Sequence, residues 1–324
     1  MSRIALTGLL VFLASWLIAH IPSVRPLPEN PLEEQWVPPD TQTIGFSPEA
    51  SLIRYGRDLI AHTSRYFGPK GRLGHDANGM NCQNCHLDAG ARPWGNNFSA
   101  VFSTYPRYRE RRGSVETICE RVNDCFQRSL NGRPLDTAGP EMQAMIAYMK
   151  WLGNKVPKGS KPPGSGIGAL AFMSRAADPA RGRSVYARRC VSCHGPEGEG
   201  RVTDSAGTTA ATGTYLYPPL WGAHSYNTAA GLYRLSRFAG FIRDNMPFGS
   251  THRSPGLTEE EAWDVAAFVN SQPRPDTQFP MDWPDIRLKP IDHPFGPYSD
   301  PFSENLHKYG PFDSILAARG ARTK

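Results

Sequence analysis

The chain has little net charge: 36 Lys and Arg against 30 Asp and Glu leave a formal +6 over 324 residues. That excess is too small for nucleic-acid binding without a concentrated basic patch. The one dense cluster, Arg107, Arg109, Arg111 and Arg112 with tyrosines interleaved, has the look of an RNA contact. It lies too close to a cysteine motif of different chemistry, and no nucleic-acid partner is expected. Cysteine is also scarce, six in all, and four of the six belong to two short motifs. Apolar and charged contents, 39% and 20%, are ordinary for folded protein, and the length allows two modest domains with their own cores.

The N-terminus carries a location signal. Arg3 precedes an uncharged run from Ile4 to Ile21, and a Pro-rich stretch from Pro22 to Pro39 follows. This is the layout of a secretory signal or signal anchor over residues 1–25. A small-x-small cleavage site is missing, since Leu17 and Ala19 make a poor pair, so an anchor through residues 4–21 is preferred over a cleaved signal. A buried core helix is the third reading. Export places the chain in the periplasm or an equivalent compartment, oxidising enough to tolerate disulfides.

The remainder repeats a pattern. An amphipathic helix over residues 47–66, capped by Ser47 with Pro48 in its first turn, precedes Cys82-x-x-Cys85-His86; a second helix closes the module over 140–152. A short helix over 178–189 then precedes Cys190-x-x-Cys193-His194, and a closing helix spans 257–269. Each copy resembles a small all-α cytochrome c domain. Residues 26–154 and 178–272 are therefore read as two tandem cytochrome c-like domains. Residues 155–177, rich in Gly, Pro and Lys, form the linker, and 273–324 a Pro-rich C-terminal extension whose aromatic residues suit it to lie across the surface of the modules.

Cys-x-x-Cys-His is specific because every position has a chemical duty. The thiols form thioethers with two vinyl groups, and the adjacent imidazole reaches the iron. Two copies in matching module positions predict two covalently bound haem c groups, with His86 and His194 as proximal ligands; zinc sites or redox dithiols are the alternatives. For the second haem, Met246 in DNMPFG suits a distal thioether ligand, against the alternative of a core methionine. Met173, which precedes the motif, competes poorly.

The first module lacks such a loop, and Met142, Met145 and Met149 recur at helical spacing, as core residues do. In the ligand region stands GSVETICERVNDCFQRSLNG, read as a helix with Ser114 as cap and Asn131-Gly132 as stop. Its cysteines, Cys119 and Cys125, would sit roughly 9 Å apart along a continuous helix. A disulfide needs Cα atoms within about 7 Å. On the helical wheel they lie roughly 120° apart: Cys119 beside Val115, Val122 and Phe126, Cys125 beside Arg121, Arg128 and Ser129. Guanidinium neighbours favour the thiolate, making Cys125 the better candidate for an iron-bound sulfur; two free, packed cysteines are the alternative. Some of the nearby arginines must pair with haem propionates, and the rest suit an anionic substrate.

The runs NCQNCHLDAG, YPRYRERRG, RVNDCFQRSLNG, CVSCHG, YPPLWG and NMPFG, in that order, resemble the two-haem thiosulfate dehydrogenases. The tail run KPIDHPFGPYSDPFSENLHKYGPF is similar to C-terminal extensions of that family. The resemblance implies His86 and Cys125 on the first haem and His194 and Met246 on the second. It implies oxidative joining of two thiosulfate ions to tetrathionate, or the reverse, with a small c-type cytochrome as electron partner. Arg121 and Ser129, with Arg109 or Arg111, would hold the small sulfur anion near Cys125. Two departures stand out: the extra Cys119, and Asn245 where some members carry a lysine ligand. The rival readings are a substrate-free electron-transfer cytochrome, possible as a subunit of a membrane complex, and a two-haem peroxidase, which no separate feature favours.

Overall fold

A computed structural model of the chain describes residues 35–203 and 214–322. The expected signal or anchor over residues 1–25 lies outside the described residues. Among the described residues, no helix is long and apolar enough to cross a membrane.

The first module is framed by α1 (Pro48–Ala61), α2 (Ile118–Arg128) and α3 (Pro140–Leu152). Ser47 Oγ accepts from Ala50 N–H at 3.1 Å, and Pro48 occupies the first turn, as its sequence predicts. α1 ends at Ala61, and a separate turn, Thr63–Phe67, completes the expected span after a break at His62. α1 crosses α3 closely because Gly56 carries no side chain: a Cβ there would meet Ala144 O at 1.9 Å. The crossing buries Leu59, Ile60, Met142, Met145 and Tyr148 in one core, the apolar stripes of both helices facing inward.

The second module uses the same device. α4 (Pro179–Arg189) and α6 (Glu259–Ser271) cross at Gly182, where a Cβ would lie 1.9 Å from Asp264 O, and α5 (Leu235–Asn245) packs beside them. Asp178 caps α4 through Ala180 N–H at 2.8 Å; Thr258 and Glu261 form a reciprocal capping box on α6. Tyr186, Trp263 and Phe268 fill this second core.

The fold is mostly helical rather than all-α. Among the described residues two antiparallel ribbons interrupt it: β1 (Arg107–Arg109) with β2 (Ser114–Glu116), and β3 (Arg201–Thr203) with β4 (Thr214–Tyr217). The first ribbon also corrects the expected start of α2. Ser114 is spent in the ladder opposite Arg109, and Thr117 is the cap, its Oγ1 accepting from Glu120 N–H while Glu120 Oε2 accepts from Thr117 N–H. The expected stop residues close the other end: Asn131 takes φ 54°, and Gly132 N–H reaches Phe126 O at 2.9 Å.

Chain segments beyond these helices are tied onto the modules, the 163–166 stretch onto the first and the tail onto both. Pro163 O accepts from Trp36, Gly164 O from Trp94, and Gly166 O from Asn96. Asp282 accepts both terminal nitrogens of Arg128, at 2.7 and 2.8 Å. Further on, α7 (Glu304–Tyr309) and α8 (Asp313–Arg322) follow, with Phe312 and Ile315 buried in the second core. Residues 273–322 therefore do more than cross a surface.

Candidate active site

Each CxxCH motif sits in a single turn, the second directly after α4 and the first beyond a loop that follows Phe67. Cys82 O accepts from His86 N–H at 2.9 Å, and Cys190 O from His194 N–H at 2.9 Å, which brings both thiols and the imidazole to one side of the turn. The first turn is pinned from behind: Thr63 Oγ1 accepts from Cys82 N–H and Asn81 Oδ1 from Ser64 N–H.

In both motifs the imidazole is oriented by a carbonyl. His86 Nδ1 donates to Asn96 O at 2.5 Å, and His194 Nδ1 to Pro218 O at 2.9 Å. A carbonyl carries no proton, so Nδ1 holds it and Nε2 keeps the lone pair that ligates a metal. Burial pushes the pKa of His86 down to about 4 and lowers that of His194, so both rings stay neutral. Burial raises the Cys82, Cys85 and Cys190 thiols to about 11, 12 and 11. Without a bound group they are therefore poor thiolates, unlike the low-pKa thiols of a redox dithiol.

The first motif opens onto a cavity of about 510 Å³. Apolar walls come from Ile60, Phe98, Val122, Phe126, Met145 and Met149, and Cys82, Cys85 and His86 line it. From α2 and its C-cap come Arg121, Cys125 and Ser129, spaced four residues apart on one face. From the β1–β2 ribbon come Arg107, Arg109 and Arg111. All eight residues expected at the first site thus share one cavity. Cys119 does not; it packs against the first core, and Arg112 pairs with Glu120 at 2.9 Å outside the lining. α2 is continuous, and both cysteines are free.

The arginines are braced from behind. Arg109 Nε lies 3.3 Å from buried Glu116, Arg121 Nη1 3.7 Å from Asp124, and Arg111 donates to Ala229 O at 3.1 Å. The Coulomb field of Cys125, ahead of any other cause, raises the pKa of Arg121, which marks their proximity. Burial, then Arg128 and Arg121, lowers that of Arg111 to about 10 although Asp282 stands 3.9 Å away, so like charge and desolvation outweigh that distant partner. It remains a cation at neutral pH.

The second motif opens onto a cavity of about 470 Å³ lined by Cys190, Cys193, His194 and Met246 with Phe241, Val265 and Val269. Met173 is partly buried in the adjoining core and does not line it. Asn245 is buried and fastens the Met246 loop across the modules: its Nδ2 donates to Trp94 O at 3.1 Å and Phe241 O at 3.0 Å. Met80, Asn81, Cys85, Tyr226 and Leu232 line both cavities, so one layer of side chains separates the two sites. The paired thiols, a neutral oriented imidazole, and apolar walls fit haem c at each.

Sequence reasoning missed four contributors to the first cavity: Lys161, Arg234, Arg237 and Trp283. Arg234 and Arg237 belong to the second module, and Trp283 comes from the tail. No local pattern marks them, because tertiary packing alone brings them there.

Comparison with known proteins agrees with this architecture. Residues 74–157 match the family model "SoxA/TsdA, cytochrome c domain", and residues 179–273 the model "Cytochrome c". The chain is 42% identical over 211 residues to a thiosulfate dehydrogenase of Allochromatium vinosum, covering 63% of this chain and 73% of that protein. It is 34% identical over 243 residues to one of Stutzerimonas stutzeri, covering 75% and 74%. Among solved structures it is similar to the thiosulfate dehydrogenase (TsdBA) of Marichromatium purpuratum in its "as isolated" form, with a TM-score of 0.68 and 34% identity over 79% of this chain. It spans about half of that structure's chain, 53%. With two cytochrome c domains and this degree of identity over most of its relatives' length, the chain belongs to the thiosulfate dehydrogenase family.

Proposed function

We propose that the protein joins two thiosulfate ions oxidatively into tetrathionate, or runs the reverse reduction, at the first cavity. The observation that carries this reading is the convergence of Cys125 with Arg109, Arg111, Arg121 and Ser129 on the cavity that also holds Cys82, Cys85 and His86. A substrate-free electron carrier accounts for Cys125 as a haem ligand and for arginines paired with propionates, but leaves the rest of this cationic lining without an anion to hold.

In this reading, Cys82 and Cys85 attach one haem c and His86 and Cys125 ligate it, while Cys190 and Cys193 attach another, ligated by His194 and Met246. Bound haem c supplies one-electron acceptance and passage to an external acceptor, a small c-type cytochrome. The chain's own residues do the rest. Arg121, Ser129 and Arg109 or Arg111 hold thiosulfate by charge-assisted hydrogen bonds and offset the repulsion between two dianions. The Cys125 sulfur bonds the sulfane sulfur of the first thiosulfate, releasing two electrons. The sulfane sulfur of the second then attacks that of the adduct: the bond to Cys125 breaks, the Cys125 thiolate leaves, and tetrathionate forms. The net change is two thiosulfates to one tetrathionate and two electrons. The buried, low-dielectric pocket makes each guanidinium contact worth more than it would be in water.

The same reading assigns residues 26–154 to the catalytic domain, 155–177 to a linker, 178–272 to the electron-transfer domain and 273–324 to a Pro-rich extension. It places the protein in the periplasm, anchored through residues 4–21. The deciding experiment is turnover of thiosulfate with ferricyanide, and of tetrathionate with a reduced dye, by the intact two-haem protein. Turnover in at least one direction is expected; none in either sinks the reading in favour of the electron carrier.

A further inference from the structure

Among the described residues, seven cationic side chains line the first cavity and no carboxylate does. Four of the seven, Arg109, Arg111, Arg121 and Arg234, have a carboxylate behind them at 2.5 to 3.9 Å. The other three, Arg107, Lys161 and Arg237, form no ion pair among the described residues. Haem c brings two propionates, enough to neutralise two of these three cations.

Arg237 differs from the other two. It comes from the second cytochrome domain, in the first turn of α5, one turn after Arg234. It is only partly exposed, yet its guanidinium makes no hydrogen bond among the described residues. Its pKa is lowered, first by burial and then by Arg234, with Arg121 and Arg109 adding to the effect against Asp292. Arg237 therefore lies within the field of the two guanidinium groups that belong to the Cys125 side of the cavity. Holding a cation there costs free energy that Asp292 offsets in part and an anion in the cavity would return.

The turn that presents it is built for rigidity. Asp292, 1% exposed, accepts from Arg234 Nε at 2.9 Å and Nη2 at 2.5 Å through one oxygen, and from Ser236 N–H and Oγ through the other. It thereby caps the start of α5 and fixes Arg234 and Arg237 one helical turn apart.

We propose that Arg237, aided by Arg234, forms a second sulfur-oxyanion subsite in the first cavity, contributed by the electron-transfer domain. The inference rests on the reading above, in which two dianions must meet at Cys125. The first is held by residues of the catalytic domain. The second, or the distal sulfonate of tetrathionate, is held by Arg237. Substrate thus bridges the two domains, and Asp292 is a positioning residue.

The test compares the intact two-haem wild type with Arg237→Gln and Arg237→Lys. Thiosulfate saturation of turnover is measured, together with tetrathionate binding by calorimetry to each form carrying Cys125→Gly. Loss of one charge-assisted hydrogen bond predicts KM and Kd raised about tenfold to a hundredfold in Arg237→Gln, with partial recovery in Arg237→Lys. Haem absorbance and both midpoint potentials, measured without substrate, are expected to stay at their wild-type values. Unchanged KM and Kd overturn the subsite. So does a shifted potential at the first haem with unchanged binding, which would mark Arg237 as a propionate partner. A wild type without turnover would sink the proposed reaction instead, while the calorimetric arm would still decide the subsite. Should Arg237→Gln lose haem absorbance through misfolding, Arg237→Lys carries the decision: weakened binding supports the subsite and wild-type binding overturns it.

Discussion

Asp282→Asn removes one charge from the contact that ties the tail to the C-terminal end of α2. Asp282 accepts both terminal nitrogens of Arg128, at 2.7 and 2.8 Å, and the Arg128 side chain is 5% exposed. Breaking one partner of a buried pair costs about 3–5 kcal/mol, because the other charge stays buried without compensation. Here the loss falls at or just below the lower bound. Asp124 Oδ1 remains 3.6 Å from Arg128 Nε, and the guanidinium still lies over Phe279 at 3.8 Å. About 2–3 kcal/mol is therefore expected for Asp282→Asn. Arg128→Gln leaves Asp282 with Arg111 alone at 3.9 Å, and a similar loss follows. The double variant should lose clearly less than the sum, because it leaves neither charge stranded. Urea unfolding followed by far-UV circular dichroism on the two-haem protein measures all three. A loss under about 1 kcal/mol for Asp282→Asn, or strict additivity in the double variant, would refute the clamp.

Gly56→Ala and Gly182→Ala each drive a Cβ to within 1.9 Å of a backbone oxygen, Ala144 O and Asp264 O respectively, which cannot rotate away. Each is expected to cost about 3 kcal/mol, the upper part of the overpacking range, with melting temperature as the measurement and Gly45→Ala, which meets nothing, as the neutral control. Asp292 is deeply buried, which by itself would raise its pKa, but Arg234 and Ser236 outweigh burial and hold the carboxyl below its ordinary value. A depressed folded pKa contributes stability above the unfolded value of about 3.9 and loses it as pH falls further. The stability gap between wild type and Asp292→Asn should therefore be full at pH 6 and shrink as pH drops below about 4. A gap that widens on acidification contradicts the assignment.

How much of this was legible in the sequence follows from the range of each interaction. The CxxCH turns are closed by bonds within five residues, and the helices announce themselves by local caps such as Ser47 and Asp178. Cys119 and Cys125 were separable because a continuous helix has a fixed period: six residues put one thiol on the core and the other on the cavity. The expected cap at Ser114 failed for an equally physical reason. A Ser before an apolar run reads as a cap, but Thr117 with Glu120 makes the better capping box, and Ser114 is drawn into a ribbon with Arg109. Arg234, Arg237 and Trp283 reach the first cavity from more than 100 residues beyond Cys125, and nothing in their neighbours signals it. Asn245 illustrates the same limit. The sequence marks it only as a departure from a lysine seen in relatives, whereas its amide is a hook between modules. The tail's composition argued for a surface path; its clamp on Arg128 and the burial of Phe312 and Ile315 depend on partners far away in sequence.

The central claim is that Cys125, and not Cys119, is the sulfur that ligates the first haem beside the arginine cluster. Electron paramagnetic resonance of the oxidised two-haem protein tests it most directly. A low-spin signal of thiolate-ligated haem is predicted in the wild type and in Cys119→Ser, and its loss in Cys125→Gly. A thiolate signal that survives Cys125→Gly and disappears in Cys119→Ser would contradict the account.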